Sequence, residues 1–582
     1  MAQLRLALAQ VDPTVGDFTG NAELVVRWAH HAREQGAHLV AFPEGMLTGY
    51  PPEDLVFRAS FVEESVAATE RLARCLVDEG LGELPVVVGY VDRSPAGAHN
   101  SAAVLAGGGI VSRYAKHHLP NYGVFDEFRH FARGDRLAVV RINGIDVALT
   151  ICEDLWQDGG PVAVAREARV GLVLTINGSP YERNKDDMRL PLCQRRAREA
   201  EAALAYVNMV GGQDELVFDG DSLVVDRFGR LLARAPLFED GLLVVDLELP
   251  LGTDDRVGPY PASDGTTMHI ERITLSTDPV RAYDAAEAGI APRIDDCSEV
   301  YRAIVTGTRD YVRKNGFRSV ALGLSGGIDS ALTATIAVDA LGPDAVHAVA
   351  LPSRYSSDHS LADAEDLARR QGIHFTVVNI ADMVDAYEGQ LELHGLAAEN
   401  LQARIRGTTL MALSNEHGHL VLTTGNKSEL ATGFSTLYGD SAGGFAPLKD
   451  VPKTLVWQLA RWRNAAAAAE GRPPPIPESS ISKPPSAELR PGQLDIDSLP
   501  DYVQLDAVLD DYVERDMGRA ALLNAGHDPA LVDRVIRLVD AAEYKRRQYP
   551  PGPKISFRAF GRDRRLPITS RWREGTELSW DH

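Results

Sequence analysis

The residues from 320 to 330 read Val-Ala-Leu-Gly-Leu-Ser-Gly-Gly-Ile-Asp-Ser, and they constrain the fold more than any other stretch. The apolar run predicts a buried strand, and Ala331 to Ala340 continues as a helix. Glycines between them let the backbone close on a ligand, while the loop amides and the helix start favour an anion. No Gly-Lys-Ser/Thr follows, so this is not a Walker A loop. We predict a phosphate-binding turn between a strand and a helix.

Asp329 is the unusual member of this turn. A carboxylate repels a phosphate unless a divalent cation lies between them. The simpler interpretation is a glycine turn in which Asp329 and Ser330 cap the helix. Strand, glycines, Asp, Ser and helix together favour the phosphate site. The pattern Ser-Gly-Gly-x-Asp-Ser resembles the signature of the ATP pyrophosphatases, which adenylate a substrate and release pyrophosphate.

The bulk properties exclude several classes of protein. A chain of 582 residues predicts two large domains. Its net charge of -22 argues against nucleic acid or an anionic membrane as a partner, so anionic substrates need local cations. Nothing is apolar for long enough to span a bilayer, and Leu4 to Leu8 already resembles a strand rather than a secretory signal. Four cysteines without a Cys-x-x-Cys pair do not suggest a disulfide scaffold, and we expect a cytoplasmic protein.

Alternating strands and helices predict two α/β domains. Residues 1–250 suit a layered α-β-β-α sandwich, and residues 295–582 suit a doubly wound parallel sheet with ligands at the carboxyl ends of its strands. Between them, residues 251–294 are rich in Gly, Pro, Asp and Thr and are interpreted as a linker. A helix is predicted over 188–205. We also predict a mobile loop over 471–492 and a basic tail from 550.

Three reactive side chains of the first domain follow predicted strands or loops: Glu44, Lys116 and Cys152. A thiol needs a base to become a nucleophilic thiolate, and a buried carboxylate is such a base. A lysine stabilises the oxyanion of a tetrahedral intermediate. The three types together suit amide hydrolysis through a thioester. Taken singly, each has an ordinary explanation, as a loop acid, a solvated cation and a small buried hydrophobe.

The words around these residues favour the catalytic interpretation. They are Phe42-Pro43-Glu44, the run Lys-His-His-Leu-Pro-Asn-Tyr-Gly-Val-Phe-Asp-Glu over 116–127, and Ile-Cys-Glu-Asp-Leu-Trp over 151–156. They closely resemble the nitrilase superfamily, in particular its glutamine amidohydrolases. The resemblance implies an α-β-β-α sandwich with Glu44 as general base and acid, Lys116 as the oxyanion partner and Cys152 as the nucleophile. Glu127 is implied as a second acid that shapes the pocket.

The same resemblance implies a glutamine pocket. Lys185 is implied as the partner of the substrate carboxylate, with Arg183 as the alternative. We expect Glu153 and Asp154 to point away from the thiol, because their charges would raise its pKa. The implied glutamine-binding residues are Tyr50, Tyr122, Glu127, Trp156, Ser179 and Lys185.

A second polar turn follows an apolar run over 420–424. Thr424 is placed to contact a nucleotide, and Glu429 to share a magnesium ion with Asp329, because Mg²⁺ typically takes one or two carboxylates plus phosphate oxygens. The alternative is a helix-capping box, which the spacing also fits.

Further motifs resemble the NAD synthetase family: Glu-Asn-Leu-Gln-Ala-Arg-Ile-Arg over 399–406, Gly-Phe-Ser-Thr-Leu-Tyr-Gly-Asp over 433–440 and Lys-Pro-Pro-Ser-Ala-Glu-Leu over 483–489. Fusion to a nitrilase-type glutaminase is the arrangement of the glutamine-dependent members. The resemblance implies Asn400, Arg404, Glu429 and Lys545 near deamido-NAD. Leu437 stands where ammonia-using relatives carry a lysine, which puts substrate contact there in doubt. The implied ATP-binding residues are Gly323, Leu324, Ser325, Gly326, Gly327, Ile328, Asp329, Ser330, Thr424 and Lys453, with Asp329 and Glu429 as ligands of Mg²⁺.

The resulting hypothesis is a ligase that adenylates deamido-NAD with ATP and amidates it with ammonia from glutamine. Free ammonia is mostly protonated near neutral pH, so an enclosed passage between the two sites would help. The family implies a homo-oligomer. Two alternatives stay open: another glutamine-fed adenylating synthetase, and a binding protein with inactive catalytic domains.

Overall fold

The computed structural model describes residues 1–183, 186–261, 267–286, 288–572 and 574. The chain divides into two compact units, and each has its own sheets and apolar clusters. Unit 1 comprises Met1–Gln213 and Phe218–Ile294, and unit 2 comprises Asp214–Val217 and Asp295–His582. In the described residues, no helix combines the length and the apolar character that crossing a bilayer requires.

The first sheet of unit 1 has six strands. Its strand Ala2–Gln10, next to one edge, pairs antiparallel with Gly241–Leu249 and parallel with Leu39–Ala41. Successive side chains of a strand point to opposite faces. Across the sheet the order is Gly241–Leu249, Ala2–Gln10, Leu39–Ala41, Val86–Ser94, Gly97–Ala106 and Gly109–Ala115.

The second sheet of unit 1 has eight strands. Ile145–Ile151, Leu172–Asn177 and Ala203–Asn208 run parallel and are buried throughout, as strands covered on both faces should be. Across the large sheet the order is Leu231–Arg234, Leu223–Val225, Ala203–Asn208, Leu172–Asn177, Ile145–Ile151, Arg136–Ile142, Thr267–Thr274 and Gly258–Pro261.

Helices cover the outer faces and complete the expected α-β-β-α layers. Leu4, Leu6 and Leu8 share one apolar cluster with strands of the second sheet. Ala7 and Ala9, on the opposite face, share another cluster with the first two helices. The helices of unit 1 are Phe18–Glu34, Ala59–Asp78, Glu127–His130, Glu153–Trp156, Gly160–Glu167 and Asp186–Ala200.

Two expectations for this half of the chain were wrong. The stretch 251–294 is not merely a linker, because Thr267–Thr274 pairs parallel with Arg136–Ile142 and buries Met268 and Ile270. The apolar alternation of that strand is short and lies among turn residues. The predicted helix over 188–205 ends at Ala200, and Ala203–Asn208 is a buried strand. A continuous apolar run cannot separate a helix end from a buried strand by periodicity.

Unit 2 contains the expected parallel sheet, here of four strands. Its order is His374–Val377, Val346–Ala350, Val320–Gly323 and Leu420–Leu422. After Val320–Gly323 the chain adds its next two strands on one side of this strand and then crosses back to add Leu420–Leu422 on the other side. The strand order therefore reverses between Val320–Gly323 and Leu420–Leu422. Ligands of such sheets bind at the carboxyl ends beside this reversal. The predicted phosphate-binding turn from Gly323 to Ser330, called the phosphate turn below, and the polar turn from Thr423 both begin there.

The helices of unit 2 cover this sheet and form a further cluster. The stretch 471–492, expected as a mobile loop, contains a short helix and buries Ile476 and Ile481. Of the predicted tail, Ile555 and Phe560 are buried. The helices are Asp296–Lys314, Ile328–Leu341, Asp358–Gln371, Ala381–Glu388, Leu396–His417, Lys427–Thr432, Lys453–Ala469, Glu478–Ser482, Tyr502–Leu509, Arg519–Asn524, Pro529–Ala541 and Glu543–Arg546.

Candidate active site

One buried ammonium group in unit 1 contacts two buried carboxylates. Lys116 Nζ lies 2.8 Å from Glu44 Oε1 and 2.9 Å from Glu127 Oε2. Glu44 follows strand Leu39–Ala41, Lys116 follows Gly109–Ala115, and Glu127 begins helix Glu127–His130. The structure therefore brings three of the implied residues together, although they are far apart in the sequence.

The charges of this cluster control one another. Burial by itself would lower the pKa of Lys116, but Glu127 and Glu44 outweigh it and hold that pKa well above its ordinary value. Burial raises the pKa of Glu127 to about 7, Lys116 opposes the rise, and Glu44 adds to it. The cluster thus contains an acid that exchanges its proton near neutral pH.

Cys152 lies at the turn between strand Ile145–Ile151 and helix Glu153–Trp156. Its φ of 43° is in the left-handed region, which is uncommon for a residue other than glycine. Burial raises the pKa of its thiol, Glu44 adds to the rise, and Lys116 opposes it. The sulfur is therefore buried yet within electrostatic range of both Glu44 and Lys116. A thiol with a raised pKa needs a neighbouring base to ionise.

The two acids after Cys152 have partners of their own. Asp154 accepts hydrogen bonds from the Tyr114 hydroxyl at 2.6 Å and from the backbone N–H groups of Ile151 and His118, both at 2.9 Å. Asp154 thus braces the turn that carries Cys152. Glu153 accepts a hydrogen bond from the Tyr122 hydroxyl at 2.8 Å, and its charge still contributes to the raised pKa of the thiol.

The end of strand Leu172–Asn177 meets this cluster. The Gly178 N–H donates to Glu44 Oε2 at 2.7 Å. Ser179 follows, and Asn208 binds both its backbone groups, accepting from its N–H at 2.9 Å and donating to its carbonyl at 3.2 Å. Hydrogen bonds thus fix Ser179 and Tyr50, which are two of the implied glutamine-binding residues. Tyr50 donates to Glu127 Oε1 at 2.9 Å.

The remaining implied glutamine-binding residues are less buried, or they lie outside the described residues. The Tyr122 side chain is 56% exposed, while its hydroxyl reaches Glu153. Trp156 is partly buried against the apolar cluster that contains Cys152. Arg183 is exposed, and Lys185 lies outside the described residues.

In unit 2 the phosphate turn is closed and internally braced. Gly326 has a φ of +78°, and a Cβ there would lie 2.2 Å from the carbonyl oxygen of Ser360. Ser330 Oγ accepts from the Ser325 N–H at 3.2 Å and donates to the Gly327 carbonyl at 3.0 Å. Only glycine therefore fits position 326 without a shift of the turn.

Asp329 at the helix start faces the turn that follows the neighbouring strand. Lys453 Nζ pairs with its Oδ2, and Asn426 Nδ2 donates to its Oδ1 at 2.9 Å. Asn426 and Glu429 also form a capping box, so the structural alternative for Glu429 holds as well. Burial raises the pKa of Glu429 well above its ordinary value, Asp329 adds to it, and Lys453 opposes it. Thr424, nearby in the chain, is half-buried.

Three of the residues implied for deamido-NAD converge on the loop 433–437. Asn400 accepts from the Thr436 hydroxyl at 2.8 Å, and Arg404 Nε donates to the Leu437 carbonyl at 3.2 Å. Lys545 Nζ donates to two carbonyls of the same loop, those of residues 433 and 435, each at 2.7 Å. Leu437 thus contributes its backbone carbonyl to the contact with Arg404. The fourth implied residue, Glu429, lies just before this loop.

Comparison with known proteins decides the family. The carbon-nitrogen hydrolase family model matches residues 5–256, and the NAD synthase model matches residues 300–549. The glutamine-dependent NAD(+) synthetase of Thermotoga maritima is 43% identical and is covered over 100% of its length by 99% of this chain. That of Acinetobacter baylyi is 42% identical, with 98% of this chain covering 99% of it.

The chain belongs to the glutamine-dependent NAD(+) synthetases. A solved synthetase of this family, from Acinetobacter baumannii in complex with ADP, is 39% identical, has a TM-score of 0.71, and is covered over 100% of its chain by 99% of this one. The Cytophaga hutchinsonii synthetase has a TM-score of 0.78 at 20% identity, with 98% of each chain covered, and supports the fold alone. The fold class predicted for this synthetase is confirmed.

Sequence reasoning missed one residue at the centre of this synthetase's first site. Asn100 Nδ2 donates to Glu44 Oε1 at 2.7 Å and to Glu127 Oε1 at 3.1 Å. Asn100 lies on strand Gly97–Ala106, in a stretch that is otherwise apolar toward its end. A polar residue buried within a strand was the available signal, but its partners are contributed by other strands and loops.

Proposed function

We propose that this synthetase converts deamido-NAD, ATP, glutamine and water into NAD, AMP, pyrophosphate and glutamate. The observation that carries the proposal is the Lys116 ammonium held between two buried carboxylates, with a buried thiol in electrostatic range. This set of groups suits amide hydrolysis. A separate phosphate turn in unit 2 suits nucleotide chemistry, and the family contains both activities.

The glutaminase half works through a thioester. Glu44 takes the proton of Cys152, and the thiolate attacks the side-chain amide carbon of glutamine. Lys116 stabilises the negative charge that forms on the amide oxygen. Ammonia leaves with the proton from Glu44, and water, activated by Glu44, then releases glutamate. Proton transfer has to precede attack, because burial keeps the thiol protonated.

Glutamine binds at the mouth of this cluster. Ser179 and Tyr50 are held by Asn208 and Glu127 respectively, so they line a preformed wall. Tyr122 and Trp156 are the remaining described contacts that we assign. Lys185 is kept as the carboxylate partner on the resemblance, with Arg183 as its alternative.

The synthetase half activates a carboxyl group. The nicotinate carboxylate of deamido-NAD attacks the α-phosphate of ATP, pyrophosphate leaves, and ammonia then displaces AMP. The turn from Gly323 to Ser330, Thr424 and Lys453 are assigned to ATP. Lys453 is buried, yet Asp329 and Glu429 keep its pKa above the ordinary value, so it stays charged beside the phosphates. Asn400, Arg404, Glu429 and Lys545 are assigned to deamido-NAD.

Asp329 and Glu429 fit a magnesium ion. The raised pKa of Glu429, caused by burial and by Asp329, shows two acids in conflict that a cation would relieve. Two carboxylates are a number that Mg²⁺ commonly takes from a protein beside substrate phosphate oxygens, which ATP would supply. Bound there, Mg²⁺ offsets the charge that builds up on the pyrophosphate.

We assign the chain to the cytoplasm and to a homo-oligomer. In support of a reducing compartment, the chain has only four cysteines, and none of them forms a Cys-x-x-Cys pair. In support of self-association, unit 2 exposes several large apolar side chains between residues 383 and 396.

Replacement of the nucleophile tests the proposal. In Cys152→Ala, glutamine-driven NAD synthesis should fall by at least about 10³-fold, while synthesis from added ammonium should persist. Mass spectrometry of the products formed from ATP, deamido-NAD and either nitrogen source measures both. Cys193→Ala, at a second buried cysteine, is the matched control and should keep both reactions. Loss of ammonium-driven synthesis in a folded Cys152→Ala protein would contradict the separation of roles.

A further inference from the structure

The catalytic cluster of unit 1 has more negative than positive charge. Glu44 and Glu127 share Lys116, and all three side chains are buried. If both acids ionise, one negative charge is left over in a medium where an unbalanced charge is costly. The raised pKa of Glu127 is the visible consequence. For Glu44 to act as a base, its carboxylate has to be held toward the thiol by groups that add no further charge.

Asn100 supplies two hydrogen bonds to this cluster without adding charge. Its Nδ2 donates to Glu44 Oε1 at 2.7 Å and, with the second hydrogen, to Glu127 Oε1 at 3.1 Å. The two oxygen acceptors fix which end of the amide faces the acids. The Asn100 carbonyl also accepts the backbone N–H of Lys116 at 2.9 Å. A single residue therefore positions all three charged groups.

The hydrogen bond to Glu44 is the shorter of the two. Glu44 Oε1 receives Lys116 and Asn100, and Oε2 receives the Gly178 N–H. Hydrogen bonds donated to a carboxylate favour its ionised form. The other titratable groups that face the cluster are Tyr50, Tyr122, Cys152 and Glu153. Of these, Tyr50 donates a hydrogen bond to Glu127.

We propose that Asn100 is a positioning residue of the glutaminase, which holds the Glu44 carboxylate in place so that it can accept the thiol proton of Cys152. Asn100 acts through Glu44 and Glu127 and does not contact the substrate. The inference rests on the proposed glutaminase function of this cluster. It predicts a defect in proton transfer from the thiol to Glu44 rather than in glutamine binding.

The test is the pH dependence of glutamate release by the full-length protein. Asn100→Ala should lower kcat about 10-fold or more near pH 7, with KM for glutamine within about 3-fold of wild type. The acid limb of the kcat profile should move to higher pH, because the acids of the cluster lose a donor that favours their ionised forms. Raising the pH should then recover part of the lost rate. Synthesis of NAD from ammonium should be unchanged.

Asn21→Ala is the matched control. Asn21 is also buried, and its amide binds only backbone, donating to the carbonyls of Thr14 at 2.8 Å and Leu47 at 3.1 Å. Its loss should lower the melting temperature without moving the acid limb. Asn100→Ser is measured in parallel, and if Asn100→Ala is insoluble, Asn100→Ser decides by the same criterion.

An acid limb at the wild-type pH in the Asn100 variants, or a raised KM with normal kcat, would overturn the inference. An equal shift in Asn21→Ala would also overturn it, since the shift would then report general loosening. If the wild-type protein releases no glutamate at any pH, the proposed function fails and the inference fails with it. A normal wild type with unshifted Asn100 variants removes the Asn100 role alone.

Discussion

At the scale of single residues, the first site depends on a mismatch between two acids and one base. A lysine between two buried carboxylates leaves one of them able to hold a proton near neutral pH, and burial places that proton on Glu127. The same burial keeps the Cys152 thiol protonated until a base removes its hydrogen. The protonation of this cluster therefore depends on the hydrogen bonds that its side chains accept and donate.

The pKa of Glu127 predicts how stability depends on pH. Its folded-state pKa of about 7 lies above the ordinary value of 4.5 for a glutamate, so the protonated form contributes stability below pH 4.5 that is lost as the pH rises through 7. The side chain introduced by Glu127→Gln cannot ionise, so this variant should lose the dependence of its stability on pH. Hydrogen exchange of strand Gly97–Ala106 at several pH values measures the local opening free energy. A wild-type-minus-variant difference that stays constant between pH 4.5 and 8 would contradict the assigned pKa.

The sequence allowed some site residues to be predicted but not others. Glu44, Lys116, Cys152 and Glu127 stand within distinctive motifs, so a resemblance was enough to single them out. Their roles remain predictions, although the structure brings them together. Asn100 has no such motif around it. Its function arises from neighbours on other strands and loops, and single-sequence patterns carry no information about which strands are adjacent.

At the scale of elements, long apolar runs were predictable and short or exposed strands were not. Strands such as Ile145–Ile151 and Leu172–Asn177 are buried throughout, so composition alone indicated them. Thr267–Thr274 alternates buried and exposed positions beside turn residues, and it was taken for a linker. Ala203–Asn208 follows a helix after two residues, and its alanines suit both structures. Periodicity fails where elements are short or adjoin without a turn signal.

The phosphate turn is the element that the sequence specified best, and one substitution tests it. Gly326→Ala introduces a Cβ 2.2 Å from the Ser360 carbonyl oxygen at a φ of +78°. The left-handed backbone alone costs an alanine roughly 1–2 kcal/mol, and the clash forces the turn to move. ATP affinity by calorimetry should fall by at least about 10-fold, and ammonium-driven synthesis should fall with it.

Gly342→Ala supplies the control for that substitution. Gly342 ends the same helix with a φ of +88°, and a Cβ there meets nothing within 4 Å. It therefore imposes the backbone cost without the clash, and ATP affinity should stay near the wild-type value. Equal losses in both variants would show that general destabilisation, and not the shape of the turn, controls ATP binding.

At the scale of the whole molecule, strong net negative charge coexists with anionic substrates. The net charge is -22, while ATP and deamido-NAD are themselves anions. Two buried lysines nevertheless keep their charge, since the pKa of Lys453 in unit 2 is raised by the acids around it. In unit 1, Glu127 and Glu44 likewise raise the pKa of Lys116. Composition therefore excludes nucleic acid as a partner more readily than it excludes small anions.

The apolar side chains exposed on unit 2 predict how the chain associates with itself. Tyr387, Leu391 and Leu396 are 53%, 48% and 70% exposed, and they lie close together in the sequence. A homo-oligomer that buries Leu396 would be weakened by Leu396→Glu, because an unpaired buried charge is costly. The dissociation constant from sedimentation velocity should rise by at least about 10-fold, or about 1.4 kcal/mol. Phe228→Glu, at a 61% exposed side chain of unit 1, should leave it unchanged. If both variants sediment as the wild type does, this surface is not the contact, and a wild type that stays monomeric at all concentrations removes the homo-oligomer itself.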